Sequence, residues 1–382
     1  MKRSRSLLLI TAWLPLLLAA QGVSRADAAR NIIFMVPDGM GLADVTAARI
    51  FKNGHNGAPL AFETLRHIGY QRTHSADSAV TDSAAAASAW ACGEKFNNGE
   101  ICFHRDGRPY RPSLLELAKK KGKATGLVAT SVITDATPAA FGAHVPFRGC
   151  HQEIARQYLT VTGVDVLLGG GTEKFASEKA DRCGAKGNFI EVARNKGYAV
   201  VNGADDLNKA CDAGSPKILG LFAKSKLTPE YLRAPAASEP RLADMTSAAL
   251  KVLERDPDGF FLVVESSQVD WANHANDLAF QTSEVLALDD AVTVVLGWIK
   301  AAPGRAENTL LVVVADHETG GFAVQGPKPG LLKAGKSVEA AWTGKEHTAV
   351  DTVIWSEGPG SEDLARALDN TDVYRVLVRA MK

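Results

Sequence analysis

Phe260-Phe261-Leu262-Val263-Val264 and Thr309-Leu310-Leu311-Val312-Val313-Val314 are unbroken apolar runs. A strand with one wet face alternates apolar and polar residues, so runs without alternation belong to strands buried on both faces. Between them, Leu278 to Lys300 carries Val285, Leu286, Leu288 and Val292 at helical spacing among Glu284, Asp289 and Asp290. Further strands are predicted at Asn31 to Val36, Thr125 to Thr130 and Val164 to Leu168, with shorter ones at Tyr198 to Val201 and Ile218 to Phe222. Helices are predicted at Leu114 to Lys121, capped by Ser113, and at Asp244 to Glu254. Buried strands alternating with helices mean an α/β fold: a large, mainly parallel central sheet with helices on both faces. No repeat or low-complexity tract breaks this pattern, and the loosest stretch is 172–240.

Val80-Thr81-Asp82-Ser83 runs straight into Ala84-Ala85-Ala86-Ala87-Ser88-Ala89-Trp90, the pattern of a helix with a polar N-cap. A serine in that first turn faces free N–H groups and the positive end of the helix dipole. Both favour a bound anion or the serine's own alkoxide. Taken alone, the stretch reads first as a small-residue helix packed on a neighbour, with Ser83 only capping.

The chain has 382 residues, 46% of them apolar, enough for a large core. Lys plus Arg (43) balance Asp plus Glu (43), so bulk charge implies neither nucleic-acid binding nor an anionic membrane surface. Residues 1–29 read as a signal peptide: Lys2, Arg3 and Arg5 precede an apolar run from Leu7 to Ala20, and Ala26-Asp27-Ala28 fits a cleavage site. The run is short for an anchor and no later segment offers about twenty apolar residues, so the expectation is an exported protein, periplasmic or secreted, without a membrane anchor. Residues 30–382 then form one catalytic domain. Export permits disulfides. Cys92 with Cys102 and Cys150 with Cys183 are the expected pairs, leaving Cys211.

In a doubly wound sheet, ligands sit beyond the carboxyl ends of the strands. Asp38 follows the first strand, and Asp135 and Thr137 follow the one at 125–130. Glu265 follows the strand at 260–264, with Asp270 and His274 behind it, and Asp316 and His317 follow the strand at 309–314. Singly, these are turn residues, a surface pair and a cap. Gathered in one cleft, the carboxylates need cations, because desolvating each costs several kcal/mol. Asp and His together suit zinc, and an acid-plus-hydroxyl set suits magnesium.

The ordered motifs resemble the alkaline phosphatase family: Pro-Asp-Gly-Met-Gly at 37–41, Thr-Asp-Ser-Ala-Ala at 81–85, Asp-Ala-Thr-Pro-Ala-Ala at 135–140 and His-Val-Pro-Phe-Arg at 144–148. Val-Glu-x4-Asp-x3-His at 264–274, Ala-Asp-His at 315–317 and Glu-His-Thr at 346–348 complete the set. The resemblance implies an alkaline phosphatase-like sheet and hydrolysis of phosphate monoesters through a phosphoserine at Ser83. It implies two zinc ions, one on Asp270, His274 and His347, the other on Asp38, Asp316 and His317. It implies one magnesium on Asp38, Thr137 and Glu265, with Asp135 reaching its waters. Arg148 would grip two phosphate oxygens. Asp82 either orients Arg148 or only caps the helix. A homodimer is implied as well.

Four carboxylates (Asp38, Glu265, Asp270 and Asp316) and an ionised Ser83, set against two Zn²⁺, one Mg²⁺ and Arg148, leave two positive charges over. That surplus matches a monoester dianion better than a singly charged diester. The alternatives are a phosphodiesterase or sulfatase on the same scaffold, or a phosphate-binding protein without turnover. Against them, Ser83 lacks a following x-Pro-x-Arg, and Glu265, Arg148 and the nucleophile are all present. Trp271 stands after Asp270 where the best-known bacterial pattern has lysine, which deprives Asp135 of its expected cation. The segment between His317 and His347 is also short, so the region that decorates the site is reduced. Replacing Trp271→Lys is expected to tighten phosphate binding; product inhibition that does not change would count against this.

Overall fold

The computed structural model describes residues 28–234, 237–325 and 333–381. The predicted signal peptide falls almost wholly outside them. One ten-stranded sheet organises the chain. Its strands are β1 (Asn31–Pro37), β2 (His67–Arg72), β3 (Ala124–Val132), β4 (Val166–Gly170) and β5 (Ala199–Val201). β6 (Ile218–Leu221), β7 (Phe260–Ser266), β8 (Thr309–Val314), β9 (Thr352–Glu357) and β10 (Ala367–Asp369) follow. The spatial order is β10-β2-β9-β8-β1-β7-β3-β4-β6-β5. Only β9 runs against its neighbours, β8 and β2; every other pairing is parallel.

Parallel strands need crossover connections, and these put helices on both faces. The unbroken apolar runs are the result. In β1, Ile32, Phe34 and Val36 join one apolar cluster while Ile33 and Met35 join the cluster on the opposite face. In β7, Phe261 and Val263 take the first side, Phe260, Leu262 and Val264 the second. The long helix spans Leu278–Lys300 as its spacing predicts, capped by Asp277, which accepts from Phe280 N–H. Ser113 and Glu116 form the reciprocal cap of Leu114–Lys120. Strands β2, β9 and β10 escape the sequence pattern because they are short and mix polar with apolar residues at the sheet's end. Among the described residues no helix is long and apolar enough to cross a membrane.

Cys150 and Cys183 are bridged, and Cys211 is a buried free thiol, as expected. The expected bridge between Cys92 and Cys102 is not made: both are free and buried. Cys102 takes a positive φ of 42°, its N–H donates to Ser88 Oγ at 2.9 Å, and its Sγ lies 3.2 Å from the Ala140 carbonyl. That sulfur also lies within 4.8 Å of Cys92 Sγ, so the two thiols are neighbours without a bridge.

Ser83–Cys92 is a helix, and all ten of its residues are buried. It packs against the helix Ala136–Gly142 and the C-terminal helix Asn370–Ala380, an approach that its alanines permit. Trp90 anchors it, edge-on to Phe34 with ring centroids 5.2 Å apart and with Nε1 donating to Gln71 Oε1 at 2.8 Å. Ala87 is fully buried in this packing, so a larger side chain there would have to displace its neighbours. Ala87→Leu should cost about 1–3 kcal/mol of stability, read as a lower denaturation midpoint; an unchanged midpoint would contradict the close packing.

Candidate active site

Four neighbouring strands, β8, β1, β7 and β3, are mutually parallel, so their carboxyl ends share one edge. Register sets the level: Val36 pairs with Glu265, and Ala129 pairs with the same residue from the other side. Asp38, Glu265, Asp316 and the Asp135–Thr137 turn therefore leave the sheet together. Gly39 tightens the gathering. Its φ is +71°, and a Cβ there would lie 2.7 Å from Asp270 Cα. Its N–H donates to Asp316 Oδ1 at 3.1 Å. Only glycine lets the Pro37-Asp38-Gly39 turn press this closely onto Asp270.

Asp270 and His274 share one face of the helix Gln268–Ala275, with Asp270 Oδ1 3.3 Å from His274 Nε2. His347 comes from a distant loop, fixed by a two-residue ladder in which Thr319 pairs with it. Its Nε2 lies 3.4 Å from the same Asp270 oxygen. His317 Nε2 is 3.3 Å from Asp316 Oδ2 and 3.6 Å from Asp38 Oδ1. The His317 and His347 rings stack at 3.6 Å, so His317 stands between the two acid–histidine groups.

The donor chemistry fits cations. Asp38 Oδ1, Asp316 Oδ2 and Thr137 Oγ1 are buried without a hydrogen-bond partner, an arrangement that buried polar atoms otherwise avoid. His347 Nδ1 donates to the Thr81 carbonyl at 2.9 Å and His274 Nδ1 to the Lys345 carbonyl. Each bond leaves Nε2 as the ring atom that faces Asp270: it donates to the carboxylate while the ring is protonated and, in the neutral ring, offers its lone pair to a cation. Burial, then repulsion from Asp316 and Asp270, pushes the Asp38 carboxyl far above its ordinary range. Burial likewise raises Glu265 to about 8. Burial would raise Asp270 too, but hydrogen bonds from His274 and His347 outweigh it and hold that carboxyl well below the usual range. The same bond to Asp270 lifts His274 to about 9.

Ser83 is the first residue of its helix and 3% exposed, with Oγ 3.3 Å from His317 Nε2. Asp82 does both jobs that the sequence leaves open. One oxygen caps Ala85 N–H at 2.9 Å; the other accepts from Gly99 N–H at 3.0 Å and Arg148 Nη1 at 3.1 Å. Asp135 caps the Ala136–Gly142 helix and accepts from Arg148 Nη2 at 3.3 Å. The expectation that Trp271 leaves Asp135 without a cation is therefore corrected: Arg148 supplies one. Asp82 and Asp135, both bound to Arg148, add two negative charges that cancel the surplus expected from the sequence, so net charge does not favour a dianion over a singly charged ester.

Three hydroxyl residues escape the sequence reading. Ser267 donates to Glu265 Oε2 at 2.7 Å, and Ser131 lies 3.4 Å from the same oxygen. Thr319 donates to Asp270 Oδ1 at 2.5 Å and sits 3.2 Å from His317 Nδ1. Ser267 and Thr319 are marked in sequence only by position, two residues beyond an acid or histidine at a strand end, and Ser131 has not even that signal.

A family model described as Alkaline phosphatase matches residues 29–338. Alkaline phosphatase 3 of Bacillus subtilis is 34% identical, covering 93% of this chain and 90% of its own length. That alignment runs over 432 residues, more than the chain possesses, so the relative carries insertions. Among solved structures, the alkaline phosphatase of Thermus thermophilus superposes with a TM-score of 0.81 at 27% identity, covering 97% of this chain and 96% of that one. The enzyme of the Antarctic bacterium TAB5 gives 0.80 at 28%, covering 93% and 98%, and a variant of it is described with Mg bound in its M3 site. A likeness of this extent, on a sheet edge that gathers the motifs in their order, makes the chain a member of the alkaline phosphatase family of phosphomonoester hydrolases.

Proposed function

We propose that the protein is an exported phosphomonoesterase that works through a phosphoserine at Ser83, with two zinc ions and one magnesium. Residues 30–382 are read as one catalytic domain behind a signal peptide, and family likeness supports a homodimer. The observation that carries the reading is the position of Ser83 Oγ, at a helix N-terminus, 3.3 Å from His317 Nε2 and beside the clamped Arg148. Asp270, His274 and His347 would hold one zinc; Asp38, Asp316 and His317 the other. Asp38, Thr137 and Glu265 would hold magnesium. Cations so bound supply Lewis acidity toward the entering and leaving oxygens of an in-line displacement.

The chain's own groups do the rest. The helix N-terminus stabilises negative charge on Ser83 Oγ and on the phosphate it receives. Arg148, fixed by Asp82 on one nitrogen and Asp135 on the other, presents a planar fork to two phosphate oxygens without further ordering cost. Its side chain is 37% exposed, which places it at the mouth of the site. Phosphoryl transfer asks mainly for such positioning and electrostatic stabilisation.

Ser83→Ala should lower kcat on p-nitrophenyl phosphate by at least about a thousand-fold, while elemental analysis finds two zinc and one magnesium per chain. Full turnover in the variant, or protein without zinc, would contradict the reading. Stability of the chelator-treated protein should also fall as pH rises. Glu265, raised to about 8, keeps its proton in the fold but not in the unfolded chain, so stability declines as pH passes from the ordinary carboxylate value towards 8. His274, raised to about 9, contributes stability that is complete below its ordinary value and lost through pH 9. Between pH 6.5 and 9 the metal-free protein should lose on the order of a few kcal/mol, and the zinc- and magnesium-loaded protein distinctly less. Chemical denaturation at several pH values measures this; stability of the metal-free protein that rises with pH would contradict it.

A further inference from the structure

The sheet edge that carries the centre continues past β3 to β4 and β6, and the loops there build a second feature. A cavity of about 350 Å³ is lined by Asp135, His151, Lys174, Ser225, Lys226 and Trp271. It shares Asp135 with the centre, and Asp135 binds Arg148, so the cavity adjoins the place where the phosphate would lie. Trp271 follows β7, Asp135 follows β3, Lys174 follows β4 and Lys226 follows β6. Four parallel strands thus deliver its walls to the ligand-binding edge.

The walls are cationic. Lys226 Nζ lies 4.4 Å over the Trp271 ring and 5.9 Å from the Phe280 ring. Among the described residues no carboxylate oxygen comes within 4.0 Å of it. The aromatic face steadies the ammonium group while leaving its three N–H donors unspent on a carboxylate. Among the described residues, Lys174 pairs only with its exposed chain neighbour Glu173, at 3.4 Å. The one carboxylate in the wall, Asp135, is already engaged by Arg148 and by Ala136 N–H. Two ammonium groups therefore face the cavity against a single, paired acid.

We propose that this cavity is a second anion subsite, receiving a phosphate or carboxylate borne by the alcohol part of the substrate, so that monoesters with a second negative group are preferred. The inference rests on the phosphomonoesterase reading above. Trp271 acquires a use in it, as the platform on which Lys226 stands. Because the lysines touch the distal group and not the reacting phosphate, they act on KM for doubly charged substrates.

The test compares n-propyl phosphate with 1,3-propanediol bisphosphate and 1,6-hexanediol bisphosphate, on the metal-loaded enzyme and its Lys226→Ala, Lys174→Ala and double variants. The wild type should favour at least one bisphosphate in kcat/KM by about ten-fold, beyond the statistical factor for two equivalent phosphates, with the preference falling as salt is raised. Each single variant should lose about three- to ten-fold on that bisphosphate, mostly in KM, and less than about two-fold on n-propyl phosphate. Equal losses on both substrates, or a wild type without preference, would overturn the subsite. Failure to hydrolyse any of the three would instead overturn the phosphomonoesterase reading itself.

Discussion

Carboxylates packed where water is excluded must meet positive charge or keep their protons. Asp38, Glu265, Asp270 and Asp316 are all under a tenth exposed and lie at one sheet edge. Protonated side chains answer this only in part: His274 and His347 serve Asp270, while Asp38 Oδ1 and Asp316 Oδ2 find no hydrogen bond. Much of the surrounding architecture follows from that conflict. Two backbone carbonyls set the histidine tautomers, the hydroxyls of Ser267 and Thr319 take up remaining lone pairs, and Gly39 lets the acids approach. Such a set is costly in isolation and becomes favourable when cations bind, which is the physical case for a metal-dependent enzyme.

The Ser83 helix solves a different problem. Its alanines bury it on all sides, which fixes Ser83 relative to β1 and to the Ala136–Gly142 helix. Asp82 joins that rigid helix to Arg148, so serine and guanidinium are positioned by a single residue. Capping of the helix and positioning of Arg148 are here one hydrogen-bond network.

The central sheet was legible because burial on both faces leaves no alternation to misread, and because strand ends in a parallel sheet must share an edge. That is why Asp38, Glu265, Asp316 and His317 could be named from order alone. His347 was harder, since a two-residue ladder far along the chain delivers it, and only its motif marked it. Strands β2, β9 and β10 carried no signal, because polar residues at the end of a sheet resemble loop. Spacing brings Cys92 and Cys102 together correctly, but it does not distinguish two neighbouring thiols from a bridge. The partners of Asp135 depended on the path of Arg148 across the site, which no local pattern encodes.

The central claim is that Ser83 receives the phosphoryl group. Acid quenching during turnover of a phosphate monoester, followed by peptide mass spectrometry, tests it directly. The account predicts phosphate on the peptide containing Ser83, and on no other. Phosphate on a different residue, or an enzyme that turns over with Ser83 unmodified under conditions that trap the intermediate, would contradict it.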